Sequence, residues 1–249
     1  MAGSIGMALA AAVLLACAVV TAASPRFTIN DVTYKTGDYV AEAKELLDTH
    51  TNQSAIIITN MGGRVEAIRL VDPATNQLRD VIATHDGNAT AMITNPHWQG
   101  EILLPYANRI RDASRSPLPH PTPPSLGSRQ VDDRLDPTGT MTAFHGMDGS
   151  APIGGDPDAP TYLDDEFKAR TPCDQYSHVV VDGNTHIQLF ADASYPYVQI
   201  YTGAVSTWGL QAIALEAMSA EMDAYNNYNG LHILDAGEVF ESSFGVALL

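Results

Sequence analysis

A hairpin written into residues 177–191 sets the terms for the rest of the chain. Ser177-His-Val-Val-Val181 and His186-Ile-Gln-Leu-Phe-Ala191 flank the turn Asp182-Gly183-Asn184-Thr185. A period of two puts Ile187, Leu189 and Ala191 on one face and Gln188 and Phe190 on the other. The same pattern recurs upstream. Ser54–Asn60 is short and β-branched, Met61-Gly62-Gly63 is a turn signal, and Arg64–Val71 is a second strand closed by Asp72-Pro73 and Asn76. Leu78–Thr84, Tyr197–Thr202 and Leu210–Leu215 read as further strands, and Glu238–Leu249 alternates Phe240, Ser242, Phe244, Val246 and Leu248 toward a terminal strand. Val40–Thr49 reads two ways: its apolar spacing suits a helix face, and the Thr/Asn-rich residues after it suit a hairpin turn. The expected fold class is all-β and sandwich-like.

Three features interrupt or bound this pattern. Residues 111–130 hold five prolines and almost no apolar periodicity, so they are expected to form an irregular, exposed junction rather than a central strand or a helix interior. The first 24 residues carry no charged side chain, and Met7–Val20 is an apolar run shorter than the ~20 residues a transmembrane helix needs. With Thr21-Ala22-Ala23 after it, segment 1–23 reads as a secretory signal peptide, which implies a secreted protein. An uncleaved signal anchor, or a lipidated Cys17 in the poor lipobox Leu14-Leu15-Ala16-Cys17, is the alternative that would tie the chain to a membrane. The sequons Asn52-Gln-Ser54 and Asn88-Ala-Thr90 agree with secretion. Beyond the signal peptide only Cys173 remains, so neither an intrachain disulfide nor a cysteine metal site is expected, and residues 24–249 must be held as a single domain by their core.

Charge excludes some functions. Acidic residues number 29 against 13 basic, a net −16, which argues against nucleic acid and anionic lipid as partners. The eight histidines are scattered with no metal-ligand spacing, so no metal is expected.

Particular motifs then narrow the reading. Asn60-Met-Gly-Gly63 with Arg64–Leu70, the run Gly100-Glu-Ile-Leu-Leu-Pro-Tyr-Ala-Asn-Arg-Ile110, and Tyr201-Thr202-Gly203 are three of them. A fourth is the C-terminal series Leu210–Ser219, Asp223-Ala-Tyr-Asn226 and Gly230–Glu238. Together these resemble the aldose 1-epimerase (galactose mutarotase) family. The most specific match is the family's Pro-aromatic-x-Asn-Arg-Ile motif, here Pro105–Ile110. Asp133–Gly139 resembles a strand-end Pro-Thr-Gly turn, and Tyr162–Phe167 resembles an Asp-x-x-Phe motif, which places its aspartate at Asp164. The resemblance implies a galactose mutarotase-like β-sandwich (supersandwich) that interconverts the α and β anomers of a hexose without a cofactor. It assigns the base to Glu216, in a Glu-Pro-Met-type turn where Ala217 replaces the usual proline. It places Arg109, Asp164 and Asn108 at the sugar, Asn108 chiefly orienting the turn.

The chain also departs from the family. Between Arg109 and Glu216 it is shorter by roughly a hundred residues, so the fold is expected to be internally truncated. The missing part normally carries two histidine motifs, one of which supplies the general acid. His145-Gly146 mimics the first of these but lies after the Pro-Thr-Gly turn, so no role passes to His145. Losing a general acid is expected to cost ~10²–10⁴-fold, which leaves this chain an impaired enzyme. The rival reading is a non-catalytic carbohydrate-binding pseudo-enzyme. A hexose-6-phosphate epimerase would need a basic phosphate pocket, which the net charge disfavours. Trp98 and Trp208 are candidates for sugar stacking, with core or rim packing as the plainer alternative for each.

Overall fold

The structure is a computed structural model that describes residues 25–102, 108–110, 128–131, 137–142, 163–169, 174–205 and 210–249. The signal-peptide segment, His145, Cys173, Trp208 and most of the proline-rich junction lie outside the described residues. Among those described, the chain is all-β and antiparallel, in three sheets.

The first sheet is a meander of β1 (Phe27–Thr36), β2 (Tyr39–Asp48), β3 (Ser54–Ile58), β4 (Arg64–Val71) and β5 (Leu78–Asp80), paired in chain order. Its buried face carries Ala41, Ala43, Ile56, Ile58 and Ala67. The short helix α1 (Ala89–Thr94) lays Ala89 and Met92 over it. Asn88 caps that helix, its side chain accepting from the backbone N–H of Thr90 and Ala91 at 3.0 and 3.1 Å. Of the two readings of Val40–Thr49, the structure takes the hairpin. β2 pairs with β1 along its whole length, and Ala41 and Ala43 alternate into the core. A helix face would have needed Val40 and Leu46 inside, and both are exposed.

The second sheet has the order β12-β11-β8-β6-β7, and the third β13-β10-β9. Their strands are β6 (Ser128–Val131), β7 (Pro137–Thr142), β8 (Asp164–Lys168), β9 (Gln175–Asp182), β10 (Thr185–Asp192), β11 (Tyr197–Val205), β12 (Leu210–Met218) and β13 (Phe244–Leu248), with the four-residue helix α2 at Ala224–Asn227. The hairpin around Asp182–Thr185 forms as the sequence predicts, with Thr185 opposite Asp182 and Ala191 opposite Tyr176.

Several boundaries differ from the sequence expectation. Residues 128–130, assigned above to the irregular junction, begin β6. The strand expected over Leu78–Thr84 stops at Asp80, because the chain then bends to carry His85 onto Glu66. The terminal strand starts only at Phe244. Before it, His232 stacks on Phe240 at 4.3 Å between ring centroids, and Glu238 Oε2 accepts from Asp235 N, so 231–243 closes on itself. β12 runs on to Met218, so Glu216 lies inside a strand and not in the turn after one.

A buried polar network ties the 85–101 segment to β4. Glu66 Oε1 accepts from the His85 backbone N–H at 2.8 Å, and Glu66 Oε2 lies 2.7 Å from His85 Nδ1. His85 Nε2 lies 3.1 Å from Asn95 Oδ1. The orientation of that amide is fixed: Oδ1 also accepts from Gln99 N, while Nδ2 donates to Gln99 O and to Glu101 Oε1. Glu66 and Asn95 thus hold the imidazole from both of its nitrogens. Gly100 follows at the closest backbone approach in the region. Its φ is +65°, and a Cβ there would stand 1.8 Å from the carbonyl oxygen of Val65, so only glycine fits.

Candidate functional site

β8, β11 and β12 lie side by side, and their register brings the polar residues of three separate motifs to one face. Gln199 of β11 stands opposite Glu216 of β12 on one side and opposite Glu166 of β8 on the other. Asp164, two residues before Glu166, shares that face, as does Tyr201, which pairs with Asp164. Arg109 reaches the same place from the 108–110 segment. Its Nη2 lies 3.7 Å from Asp164 Oδ2, and Gln199 Nε2 donates to Asp164 Oδ1 at 2.8 Å. Asp164, Arg109 and Glu216, three residues singled out in sequence, are thus neighbours. Asp164 opens strand β8, and its side chain is mostly buried.

Local structure explains how each group is held. Asn108 adopts the left-handed region, φ +57°, which asparagine tolerates better than most residues, and its Oδ1 accepts from Arg109 Nη1 at 3.3 Å. The Arg109 carbonyl accepts from Asp223 N at 2.8 Å, which docks this segment against the turn after β12. Asp164 is fixed by the residue before it. Leu163 N donates to Thr202 Oγ1 at 2.7 Å, and Thr202 N donates to Leu163 O at 2.9 Å. Thr202 is fully buried. Thr202→Val keeps the shape but leaves the Leu163 N–H without its acceptor, and is expected to cost about 1–3 kcal/mol in urea unfolding. A loss below about 0.5 kcal/mol would remove Thr202 from this positioning role.

The electrostatics divide the carboxylates. Arg109 and Gln199 both engage Asp164, Gln199 at Oδ1 and Arg109 at Oδ2. Glu166 is completely buried and accepts from Met222 N, so it anchors the turn beyond β12. Glu216 accepts no hydrogen bond and makes no ion pair among the described residues. Its pKa is pushed up to about 7, first by burial and then by the charge of Asp164, with Arg109 pulling the other way.

Gln199 and Glu166 are the site residues that the sequence reading missed. The available signal was parity: Gln199 lies two residues before Tyr201, and Glu166 two after Asp164. Gln199 is 2% exposed, and its Oε1 has no partner among the described residues. A buried acceptor left open beside an arginine and two carboxylates suits a donor brought by a ligand, such as a hydroxyl. Trp98 stands 77% exposed in the loop after α1, outside the core. A separate cleft of about 400 Å³ beside α1 is lined by His85, Asp86, Asn88 and Gln99 among others, but both nitrogens of His85 are already engaged.

No group of three or more potential ligand side chains suited to a metal ion occurs among the described residues. No helix among them is long and apolar enough to cross a membrane. No protein-family model, curated protein or solved structure matches the chain.

Proposed function

We propose that this chain is an aldose 1-epimerase-like protein of galactose mutarotase-like fold. It takes a hexose monosaccharide such as galactose or glucose and interconverts its anomers by acid–base ring opening, with no cofactor. Its site of action is the secretory pathway or the cell exterior. The observation that carries the reading is the convergence of Arg109, Asp164 and Glu216 on one sheet face, although they come from three motifs far apart in sequence. The fit to a sugar is chemical. Arg109 forks donors toward hydroxyl oxygens, Asp164 and the open Gln199 Oε1 accept from hydroxyl groups, and Glu216 is a carboxyl group able to move a proton near neutral pH.

The test is polarimetry of freshly dissolved α-D-galactose and α-D-glucose with the purified chain. Equilibration faster than the buffer rate is expected. Asp164→Asn removes a charge-assisted acceptor worth about 1.5–3 kcal/mol and is expected to lower kcat/KM roughly 10- to 100-fold. The second reading, a carbohydrate-binding pseudo-enzyme, is favoured by the absence of the family's histidine motifs from their places in the sequence. It predicts sugar binding by NMR line broadening with no rate above buffer. Neither rate nor binding would defeat both readings.

A further inference from the structure

We propose that Glu216 performs both proton transfers of ring opening alone, one through each of its carboxyl oxygens. This rests on the sugar reading above and assigns the missing acid. The geometry narrows the choice. Asp164 has Oδ1 engaged by Gln199 and Oδ2 facing Arg109, while Glu166 is buried and holds Met222 N. Glu216 is the carboxyl of the cluster with both oxygens uncommitted among the described residues. A hemiacetal presents its two reacting oxygens, O1 and the ring oxygen, on a single carbon. A carboxyl group likewise presents two oxygens on one carbon, so one can face the other edge to edge.

The step balances without a further reagent. The Glu216 O–H gives its proton to the ring oxygen as the bond from C1 to that oxygen breaks and its electron pair moves onto the oxygen. The O1–H electron pair becomes the second bond of C1=O1, and the O1 proton passes to the other Glu216 oxygen. The carboxyl ends neutral, with its proton on the opposite oxygen. Rotation about C1–C2 and the reverse transfer close the ring as the other anomer. No separated charge forms, which suits a half-buried site beside an existing anion.

This mechanism needs Glu216 protonated. The groups facing it are Asp164 and Glu166 from β8, Gln199 and Tyr201 from β11, and Arg109 from the 108–110 segment. Burial and the Asp164 charge keep the proton on up to about pH 7. A carboxylate base assisted by a separate acid would show the opposite dependence.

The experiment is mutarotation of α-D-glucose by the full chain from pH 4.5 to 9, after subtraction of buffer catalysis. The expected kcat/KM is flat below neutrality and falls about tenfold per pH unit above it. Asp164→Asn is expected to move that fall to lower pH. Glu216→Gln is expected to lower the rate by ~10²-fold or more, and Glu216→Asp to keep the same falling limb at a reduced rate. Circular dichroism confirms that each variant is folded. Rates in mixed light and heavy water should bow quadratically, because two protons move together. A Glu216-dependent rate that rises through neutrality, or a linear isotope plot, overturns this inference and leaves the sugar reading intact. No Glu216-dependent rate at any pH overturns both.

Discussion

Glutamine at position 216 is expected to make the protein more stable as well as inactive, and more so as the pH rises. Folding raises the pKa of Glu216 from an ordinary 4.5 to about 7, so between those values the native state binds the extra proton. Stability contributed by this group is therefore fully present below about 4.5 and is lost as pH climbs toward 7. A shift of that size is worth about 3 kcal/mol, taking ~1.4 kcal/mol per pH unit. The neutral amide avoids the loss. Glu216→Gln should match the parent in urea unfolding near pH 4.5 and exceed it by about 3 kcal/mol at pH 8. An equal difference at both pH values would mean that burial of an ionising carboxyl is not its origin.

A loss of stability is expected instead at the buried Glu66 of the first sheet. His85→Ala leaves Glu66, 3% exposed, with the backbone N–H of position 85 but without the imidazole, and takes one partner from Asn95 Oδ1, which still accepts from Gln99 N. Leaving a buried polar group without its hydrogen-bond partner typically costs about 1–3 kcal/mol, which would be visible as a fall in the urea midpoint. Removing both polar side chains is the informative control. Glu66→Leu combined with His85→Leu should recover most of the loss, since a well-packed apolar pair replaces a buried hydrogen-bonded one at little cost. If the double variant is as weak as the single, the pair does not act as a unit. The network also sets the path of the chain toward the site. It fixes Gln99 and Gly100 against β4, a few residues before Asn108 and Arg109.

Much of this was legible in the sequence, for physical reasons that differ by region. The Asp182–Thr185 hairpin and the Met61-Gly62-Gly63 turn are local, and turn chemistry with period-two alternation states them outright. Arg109, Asp164 and Glu216 were reachable only through motif resemblance. Their proximity depends on the register of β8, β11 and β12, which is a long-range property. Gln199 was missed because its parity with Tyr201 gains meaning only once its neighbours across the sheet, Glu166 and Glu216, are known. Placing Glu216 in a turn failed because the apolar run ends at Leu215, although pairing with β11 continues to Met218. Burial of His85 was invisible for the same reason. Nothing local to Thr84–Asp86 says that Glu66 waits opposite.

The backbone bond from Asp223 N to Arg109 O joins two points far apart along the chain. Closing so large a loop carries an entropic penalty that only an already docked sheet can offset. Contacts of such high sequence separation form late and slowly. Sheet structure can therefore be complete while the guanidinium still lacks its place beside Asp164. In this architecture the Arg109–Asp164–Glu216 cluster is expected to assemble in the final act of folding, after the secondary structure around it.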